Sequence, residues 1–518
     1  MNETNDNKLS LEIREHLGKF LPAVNFDSDF LFSELDSLGI STILFLLSQK
    51  FDILLGASDI TPRNFRNLDS LAAMVFSKMS LENKILQYSV QTPDKVAVIC
   101  GDERLSYSEL WNAILERQEQ LKAEGLKPHR PYVFRATQDI RFLITYCAVH
   151  AIGAVAVPLE RSASDDSFGA VSDEVASAQF ADDIADTLYT TGTTGKSKGV
   201  MLSRTSLISC AQNFIESMQF SQDLLFIISG PLNHIASLFK ILPVLSVGAT
   251  LCILDGLKDL NAFFDVFRLP YSRFATFLVP ASMRIIIQFC SRQLCSVAPK
   301  IDFIELGAAP VTEADMGEIC RMLPTSRLYN TYGGTEIGCV CTYNFNDGRH
   351  IEGCVGRPMP NSSVRITPEG NVIVAGKTIM SGYVADADAT AAVLHDGCIL
   401  TSDMGYIDEN GMLHLTGRQG DVINVSGYKV NPVEVENAAS SFPGIKESVC
   451  IPAEHPVVGT VLKLLVVLAD GASLDQHALA EHLKGQLDSY KVPMWYETVP
   501  SVRHTYNGKV DRKSYRTE

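Results

Sequence analysis

The chain has 518 residues, of which 46% are hydrophobic and 20% are charged. This composition favours a globular protein of several domains over a disordered one. A formal net charge of -16 with no local basic patch argues against a nucleic-acid partner. The polar N-terminal sequence lacks the layout of a signal peptide, no apolar run reaches membrane-span length, and the 12 cysteines lack zinc spacing. We therefore expect a cytoplasmic protein that does not bind membranes.

Residues 9–80 have the pattern of a small helical unit. A second predicted helix begins at Asp36 or Ser37 and ends at Phe51, and a turn with Pro62 leads to a third amphipathic helix. Three helices in a segment of this length make a small bundle, which we predict as a first domain, 1–80. The first predicted helix carries four apolar residues near one face: Leu11, Ile13, Leu17 and Leu21.

From residue 81 onward, predicted strands and helices alternate. A strand at 94–100 is followed by a helix that ends at a glycine, and alternation of this kind favours a parallel sheet covered by helices. The polar, small residues of 165–183 predict a loop or linker, after which alternating units resume. The chain has a predicted hinge near Arg418 and then a small α+β tail, so the second and third predicted domains are 81–417 and 418–518.

A glycine-rich loop lies in the sequence LYTTGTTGKSKGVMLS, residues 188–203. Glycines let the backbone approach an anion with successive N–H groups, threonine hydroxyls add donors, and lysines add positive charge. The spacing is not that of the P-loop, because only two residues separate Gly192 and Gly195, whereas the P-loop has four between its glycines. The pattern predicts a phosphate-binding loop of another kind.

This loop resembles the phosphate loop of the adenylate-forming superfamily, which includes acyl- and aryl-CoA ligases, nonribosomal peptide adenylation domains and luciferases. Three further motifs follow in the order that the superfamily has: NTYGGTEIG at 330–338, the segment from TSDMGY to VEVE at 401–436, and NGKVDRK at 507–513. The resemblance covers about residues 81–518. It implies an α/β adenylation domain with a large N-terminal subdomain and a small α+β C-terminal subdomain. The implied reaction joins a carboxylate to the α-phosphate of ATP and releases pyrophosphate.

The resemblance also implies roles for the residues that bind phosphate and metal. Glu336 would coordinate Mg²⁺, a hard ion suited to carboxylate and phosphate oxygens, and Thr335 would contact the α-phosphate. Lys509 would neutralise charge on the α-phosphate and the carboxylate as the bond forms. The residues implied to hold the β- and γ-phosphates are Thr190, Thr191, Gly192, Thr193, Thr194, Gly195, Lys196 and Lys198.

The nucleoside of ATP has its own implied contacts. Tyr332 would stack on adenine, Asp403 would accept both ribose hydroxyls, and Arg418 would support ribose and phosphate. The alternatives for these residues taken one at a time are an N-cap or turn residue for Asp403, a surface charge for Glu336 and a solvated loop lysine for Lys509. The residues implied to line the edge of adenine are Asn330 and the GAAP segment, Gly307, Ala308, Ala309 and Pro310.

The N-terminal unit resembles an acyl or peptidyl carrier protein, with the sequence DSL at the start of its second predicted helix. The resemblance implies a four-helix-type bundle with 4'-phosphopantetheine on Ser37, where a helix N-terminus favours the phosphodiester charge. It implies a phosphopantetheinyl transferase as partner and, later in a pathway, a downstream synthase or another carrier-dependent enzyme. Carriers often have Gly two residues before the Asp, whereas Glu34 and Leu35 stand here. The alternative is a degenerate docking bundle.

The sequence PLNHIASLFK, 231–240, bears on the acid substrate. In peptide-type adenylation domains an aspartate here binds the α-amine, whereas this chain has His234 and no aspartate. We expect His234 to close the carboxylate pocket of an aryl or short to medium acyl acid without an α-amine. A purely structural histidine is the alternative. Gly420, two residues after Arg418, is the predicted hinge for the rotation of the C-terminal subdomain.

We therefore predict an ATP-dependent ligase that activates a small carboxylic acid and loads it on a carrier thiol, its own in the first instance, in a natural-product or lipid-like biosynthetic pathway. The alternatives are an acyl- or aryl-CoA ligase with a non-functional bundle, an amino-acid adenylation domain, and a catalytically silent scaffold. ATP–pyrophosphate exchange with a panel of acids separates the scaffold from the enzymes.

Overall fold

A bundle of short helices forms the N-terminal part of the chain in the computed structural model, which describes residues 6–190, 197–351, 353–421, 423–425, 428–455, 459–504 and 510–515. Ile13 and Leu17 lie one helical turn apart and are fully buried, whereas Leu11 is 46% exposed. The expectation that Leu11 lies on the apolar face is wrong, because position 11 falls off the stripe that positions 10, 13 and 17 share. The core of the bundle also contains Ile43, Leu47, Phe65, Leu71 and Val75.

The second helix of the bundle has the bounds that the sequence predicts, Ser37–Phe51. The carboxylate of Asp36 accepts a hydrogen bond from the main-chain N–H of Gly39 at 2.7 Å and caps the helix. The helix ends at Phe51, and its C-cap residue Asp52 has a left-handed backbone conformation with φ of 48°.

Helices and strands alternate along the rest of the chain. In the described residues, no helix is both long and apolar enough to cross a membrane. The α-helices are α1 Asp6–Phe20, α2 Ser37–Phe51, α3 Leu68–Ser77, α4 Leu81–Gln91, α5 Tyr107–Ala123, α6 Ile140–Ile152, α7 Asp165–Ser177, α8 Arg204–Met218, α9 Ile235–Ser246, α10 Leu260–Asp265, α11 Pro280–Val297, α12 Glu313–Met322, α13 Ala387–Val393, α14 Pro432–Ser440 and α15 Gln476–Lys484. The β-strands are β1 Val96–Cys100, β2 Glu103–Ser106, β3 Pro131–Arg135, β4 Val155–Leu159, β5 Ile184–Thr190, β6 Lys198–Ser203, β7 Leu224–Ile228, β8 Thr250–Ile253, β9 Arg273–Leu278, β10 Ile301–Gly307, β11 Arg327–Gly334, β12 Gly338–Asn344, β13 Cys354–Pro358, β14 Ser362–Ile366, β15 Asn371–Gly376, β16 Gly382–Tyr383, β17 Leu394–His395, β18 Cys398–Ile407, β19 Leu413–Arg418, β20 Ile423–Val425, β21 Tyr428–Val430, β22 Ile445–His455, β23 Gly459–Leu468 and β24 Trp495–Thr498.

Contacts divide the chain into two units, and the first comprises residues 1–256 and 376–387. Its strands β7, β8 and β1 are parallel, with β2 antiparallel at the end, and a second sheet has the order β16-β6-β5-β4-β3 with β3, β4 and β5 parallel. Every residue of β4 and β7 is buried, as expected where helices cover both faces of a parallel sheet. The predicted helix-covered parallel sheet is therefore confirmed in this unit.

The second unit comprises residues 257–375 and 388–518. Strands β9, β10 and β11 are parallel, and the sheet continues through antiparallel pairs in the order β12, β13, β19, β18 and β15. Strand β14 lies next to β15 at the end of this order. The C-terminal residues form a separate sheet of β22, β23 and β24 with α14 and α15 packed on it. This confirms the predicted small α+β tail, while the predicted domain boundaries at 80 and 417 stay predictions.

The segment 165–183, predicted to be a loop, contains a helix instead. The hydroxyl of Ser164 caps α7 by accepting a hydrogen bond from the main-chain N–H of Ser167 at 3.1 Å, and two aspartates lie in the first turn. Val175 is buried and Val171 half-buried in the same apolar cluster. The prediction is wrong because one short apolar stripe is enough to hold a capped helix whose other residues are polar and small.

Candidate active site

Three predicted nucleotide-binding residues lie together in the second unit. Asp403 on β18 and Arg418 on β19 are register partners, and Arg418 Nε donates a hydrogen bond to Asp403 Oδ1 at 2.8 Å. The hydroxyl of Tyr332, on β11, donates to Asp403 Oδ2 at 2.7 Å. Each carboxylate oxygen keeps a further lone pair, so Asp403 can still accept hydrogen bonds from a diol.

The charge state of this cluster follows from its surroundings. Tyr332 is 7% exposed, and its burial together with the charge of Asp403 raises the pKa of the phenol well above its ordinary value. The charge of Asp403 also raises the pKa of Arg418. Tyr332 therefore stays a hydrogen-bond donor, and Arg418 stays a cation, over the pH range in which proteins function.

The residues predicted to line adenine lie at the end of two adjacent parallel strands. Gly307, the last residue of β10, is the register partner of Thr331 on β11, and a Cβ atom at Gly307 would lie 3.0 Å from the Thr331 carbonyl oxygen. Ala308 follows with a φ of +67°, a strained conformation for a residue other than glycine. Asn330 is buried, and its side-chain amide donates to the Cys354 carbonyl oxygen at 2.8 Å. The structure brings the GAAP segment, Asn330 and Tyr332 to one edge of the sheet, whereas the stacking of adenine on Tyr332 stays a prediction.

Thr335 and Glu336 occupy the tight turn between β11 and β12, and both are half-buried. A Cβ atom at Gly333 would lie 2.5 Å from the Gly338 carbonyl oxygen, so the turn needs glycine there. Among the described residues, no group of three or more His, Cys, Asp and Glu side chains is placed to hold a metal ion. A single carboxylate fits Mg²⁺ that is shared with substrate phosphates, because this ion binds one or two protein carboxylates and keeps the rest of its shell for phosphate and water.

The predicted phosphate loop lies in the first unit, between β5 and β6. Thr190 and Lys198 are register partners across this antiparallel pair, and Ser197 Oγ donates to the Thr190 carbonyl oxygen at 2.7 Å. Lys198 Nζ lies 4.8 Å from the centre of the Tyr383 ring. The remaining predicted phosphate ligands lie outside the described residues: Thr191, Gly192, Thr193, Thr194, Gly195 and Lys196.

His234 is half-buried and caps the N-terminus of α9 in the first unit. The main-chain N–H of Ala236 donates to His234 Nδ1 at 3.3 Å, which assigns the ring proton to Nε2. A histidine in this tautomer offers one N–H donor and no positive charge, which suits a carboxylate or carbonyl oxygen better than an ammonium group.

Gln138 fixes the segment that leads to His234, although no sequence motif indicates this role. Its side-chain amide donates to the carbonyl oxygens of Gly230 and Leu254 at 2.8 and 3.0 Å and accepts from the main-chain N–H of Leu232 at 3.1 Å. One glutamine thus joins the segments that follow β7 and β8.

In the C-terminal residues, Lys509 lies outside the described residues, and the structure shows a neighbouring ion pair instead. Arg512 donates two hydrogen bonds of 2.6 Å to the carboxylate of Glu436. Burial raises the pKa of Glu436, although Arg512 opposes this shift. Gly420 is exposed, and a Cβ atom there would meet no other atom within 4 Å.

Ser37 is exposed at the first position of α2, and the next residue, Leu38, is 75% exposed. The hydroxyl of Ser41, one turn further along, donates to the Ser37 carbonyl oxygen at 2.8 Å. The residue that the carrier resemblance singles out is thus accessible to another protein.

Comparisons with known proteins identify the larger part of the chain. It matches the family of AMP-binding enzymes over residues 86–178 and 162–384, and the AMP-binding enzyme C-terminal domain over residues 434–509. A (methyl-dioxo-octahydroindenyl)propanoyl:CoA ligase from Rhodococcus jostii is 30% identical over 368 residues, 68% of this chain and 69% of the relative. Indoleacetate–CoA ligase from Aromatoleum aromaticum is 32% identical over 342 residues, 63% of this chain and 66% of the relative. ATP-bound MatB from Rhodopseudomonas palustris has the same fold, with a TM-score of 0.76 and 24% identity over 85% of this chain and 98% of that one.

Proposed function

Since the chain belongs to the AMP-binding enzyme family, we propose that it activates a carboxylic acid with ATP and transfers the acyl group to a thiol. The carboxylate oxygen attacks the α-phosphorus, the bond to pyrophosphate breaks, and an acyl-AMP forms. The thiol sulfur then attacks the acyl carbon, and AMP leaves. The observation that carries this proposal is the carboxylate of Asp403, held on one side by Tyr332 and on the other by Arg418.

A carboxylate held in this way suits the ribose of ATP. Two donors fix the plane of the Asp403 carboxylate, so its remaining lone pairs are oriented before a diol binds. The entropy cost of ordering this side chain on binding is therefore small. Glu336, with the substrate phosphates, would hold Mg²⁺, which when bound supplies positive charge against the crowded phosphates. Thr190 and Lys198 mark the two ends of the proposed β- and γ-phosphate site.

The proposed acid lacks an α-amine. The support is His234, whose Nδ1 accepts from the Ala236 N–H, so that the ring presents a neutral Nε2–H donor. An ammonium group would require an acceptor or a negative charge at this place, which a histidine in this tautomer does not offer. The substrate class is therefore an aryl acid or a short to medium acyl acid.

We take the thiol of coenzyme A as the first acceptor, because the related proteins named above are CoA ligases. The test is ATP–pyrophosphate exchange with a panel of aryl, acyl and amino acids, followed by thioester formation with CoA. The proposal expects exchange with one class of amine-free acids. Exchange only with α-amino acids would overturn the substrate class, and no exchange with any acid would overturn the reaction.

A second acceptor is favoured by one observation, the exposed hydroxyl of Ser37 at the start of the capped helix α2. A phosphopantetheine arm on this residue would present a thiol in cis or to another protein, and the helix N-terminus would stabilise the negative phosphodiester. The fit is one of chemistry and access: an exposed hydroxyl beside N–H groups of the first turn.

The two acceptors can be separated by intact-mass measurement. The protein is coexpressed with a phosphopantetheinyl transferase and then incubated with ATP and the preferred acid. A carrier gains the mass of the arm and then the mass of the acyl group, and Ser37→Ala abolishes both gains. Ser41→Ala removes a hydroxyl one turn away on the same helix and is the matched control. An unmodified Ser37 together with full activity on CoA leaves the CoA ligase as the function.

A further inference from the structure

The N-terminal bundle has no long linker to the rest of the first unit. α3 ends at Ser77 and α4 begins at Leu81, so only three residues join them. Within this joint Lys78 Nζ lies 2.8 Å from Asp59 Oδ1, and Met79 Sδ accepts a hydrogen bond from Gln212 Nε2 at 3.1 Å. The joint is thus tied to the bundle on one side and to α8 on the other.

The helix that follows the joint, α4, packs on the rest of the first unit. This part, residues 81–256 and 376–387, is called the body below. Tyr88 on α4 is buried against Gly248, where a Cβ atom would lie 2.6 Å from the Tyr88 ring, and its ring packs against Tyr107 on α5. The match to the AMP-binding family also begins inside α4, at residue 86. α4 is therefore the surface of the body on which the bundle rests.

Asp52, the C-cap residue that follows α2, contacts one face of α4. Its carboxylate accepts hydrogen bonds from Gln87 Nε2 at 3.3 Å and from the Tyr88 hydroxyl at 3.4 Å, and Lys84 Nζ lies 3.5 Å from Oδ2. Lys84 Nζ also donates to the Asp52 main-chain carbonyl oxygen. Positions 84, 87 and 88 share a helical face, so one residue of the bundle meets all three side chains.

The polar groups on α4 depend on this contact. Lys84 is 7% exposed and Gln87 is 1% exposed, and burial lowers the pKa of Lys84 while Asp52 opposes that shift. Without Asp52, α4 would keep a buried cation and a buried amide with fewer partners, which is costly. The side chain of Asp52 is itself 71% exposed. Water therefore reaches the Asp52 carboxylate, whereas its partners on α4 are buried.

A third contact lies at the end of α3. Lys377 Nζ, from the segment 376–387 of the same unit, lies 5.6 Å from the centre of the Phe76 ring. The bundle therefore meets the body at the end of α2, at the joint and at the end of α3. Contacts at three separate places fix an orientation, whereas a single contact leaves a hinge.

We propose that Asp52 is a latch that holds the N-terminal bundle in one orientation on α4. The latch and Ser37 lie at opposite ends of α2, a helix of 15 residues and therefore about 22 Å long. If Ser37 carries a thiol arm, which rests on the second acceptor proposed above, the arm is attached to a bundle that is held in one orientation. Release of the Asp52 contacts would then change which sites the thiol can reach.

The test measures amide hydrogen exchange in the full chain, which needs no activity. Asp52→Asn keeps a residue that tolerates the left-handed conformation and removes the charge. The latch predicts at least tenfold faster exchange in residues 78–88, with unchanged protection around the bundle core residues Ile43 and Leu47. Asp27→Asn is the matched control, because Asp27 forms an ion pair with Arg14, another exposed residue of the bundle, and not with α4.

A second variant excludes unfolding of the bundle as the cause. Lys84→Met removes the partner on the α4 side and leaves every bundle residue unchanged, and it should reproduce the faster exchange at 78–88. Wild-type exchange in both variants would overturn the latch, as would loss of protection at Ile43 and Leu47 in Asp52→Asn with no effect of Lys84→Met. Failure of the proposed function shows separately, as absent ATP–pyrophosphate exchange in the wild-type protein.

Discussion

Asp403 and Arg418 oppose each other on antiparallel strands, with Arg418 Nε 2.8 Å from Asp403 Oδ1, and the second carboxylate oxygen of Asp403 is held by Tyr332 at 2.7 Å. The three residues come from three strands of one sheet. A carboxylate fixed on both oxygens cannot rotate, so its remaining lone pairs have set directions. This order before binding is what a site for a diol requires.

The first prediction concerns Asp403 itself. Asp403→Asn removes the charge and one acceptor, and since hydrogen bonds to charged groups contribute about 1.5–3 kcal/mol, kcat/KM for ATP should fall by about 10- to 100-fold. ATP–pyrophosphate exchange at varied ATP measures it. Glu409→Gln, an exposed charge removal in the turn after β18, is the control and should be neutral. Equal effects of the two changes would remove Asp403 from the site.

The second prediction concerns Tyr332 and alkaline pH. Burial and the charge of Asp403 raise the pKa of Tyr332 well above its ordinary value near 10. The folded state therefore favours the protonated phenol, and this contribution to stability is fully present below about pH 10 and is lost as pH rises towards the folded pKa. In urea unfolding, wild-type stability should fall above pH 10 more steeply than that of Tyr332→Phe, by up to about 1.4 kcal/mol per pH unit. The prediction is wrong if the free energy of unfolding falls equally with pH in the wild type and in Tyr332→Phe.

Much of the fold and of the candidate site could be predicted from the sequence. The cap of Asp36 and the end of α2 at Phe51 are local, so a pattern of a few residues determines them. Asn330 and Tyr332 lie on β11 and Asp403 lies on β18, and the family resemblance of the motifs that contain them predicts one shared site. The structure brings these residues together within one unit.

The remaining features depend on contacts between residues far apart in the chain. Tyr332 and Asp403 are 71 positions apart, and nothing local indicates that the phenol donates to that carboxylate. The three hydrogen bonds of Gln138 and the contacts of Asp52 with α4 are equally non-local. The sequence did not predict helix α7 for another reason. Its composition is polar and only Val175 of this helix is fully buried, so the apolar periodicity is weak.

The third prediction concerns Gln138. Gln138→Leu leaves the carbonyl oxygens of Gly230 and Leu254 without this donor, so the segment that ends at His234 should loosen. We expect KM for the acid to rise by about tenfold with KM for ATP unchanged, the cost of one or two lost hydrogen bonds. Gln118→Leu, which removes one hydrogen bond from the side-chain amide to the Ala151 carbonyl oxygen in the same unit, is the control. A rise in both KM values would indicate general destabilisation instead.

The fourth prediction concerns the strained residue Ala308, which has a φ of +67°. A left-handed conformation costs a residue other than glycine about 1–2 kcal/mol, and a β-branched side chain costs more. Ala308→Gly should therefore leave the free energy of unfolding equal or raised by up to about 1 kcal/mol, because relief of strain exceeds the added entropy of the unfolded chain. Ala308→Val should lower it. Urea unfolding of the wild type and both variants measures their free energies of unfolding. A Val variant more stable than the wild type would show that the backbone at position 308 is not strained.

The fifth prediction concerns the hinge. Gly420 is exposed, and a Cβ atom there would meet nothing within 4 Å, so Gly420→Ala is sterically free in this arrangement of the chain. Gly420→Pro instead fixes φ near -65° and restricts the preceding residue, so it should oppose any rotation about this position. If the C-terminal subdomain rotates between acyl-AMP formation and thiol transfer, Gly420→Pro should keep ATP–pyrophosphate exchange within about threefold and slow thioester formation at least tenfold. Gly420→Ala should change neither by more than about twofold. An equal loss of both half-reactions in Gly420→Pro would place the hinge elsewhere, because a residue that acts only in the rotation cannot slow the step that precedes it.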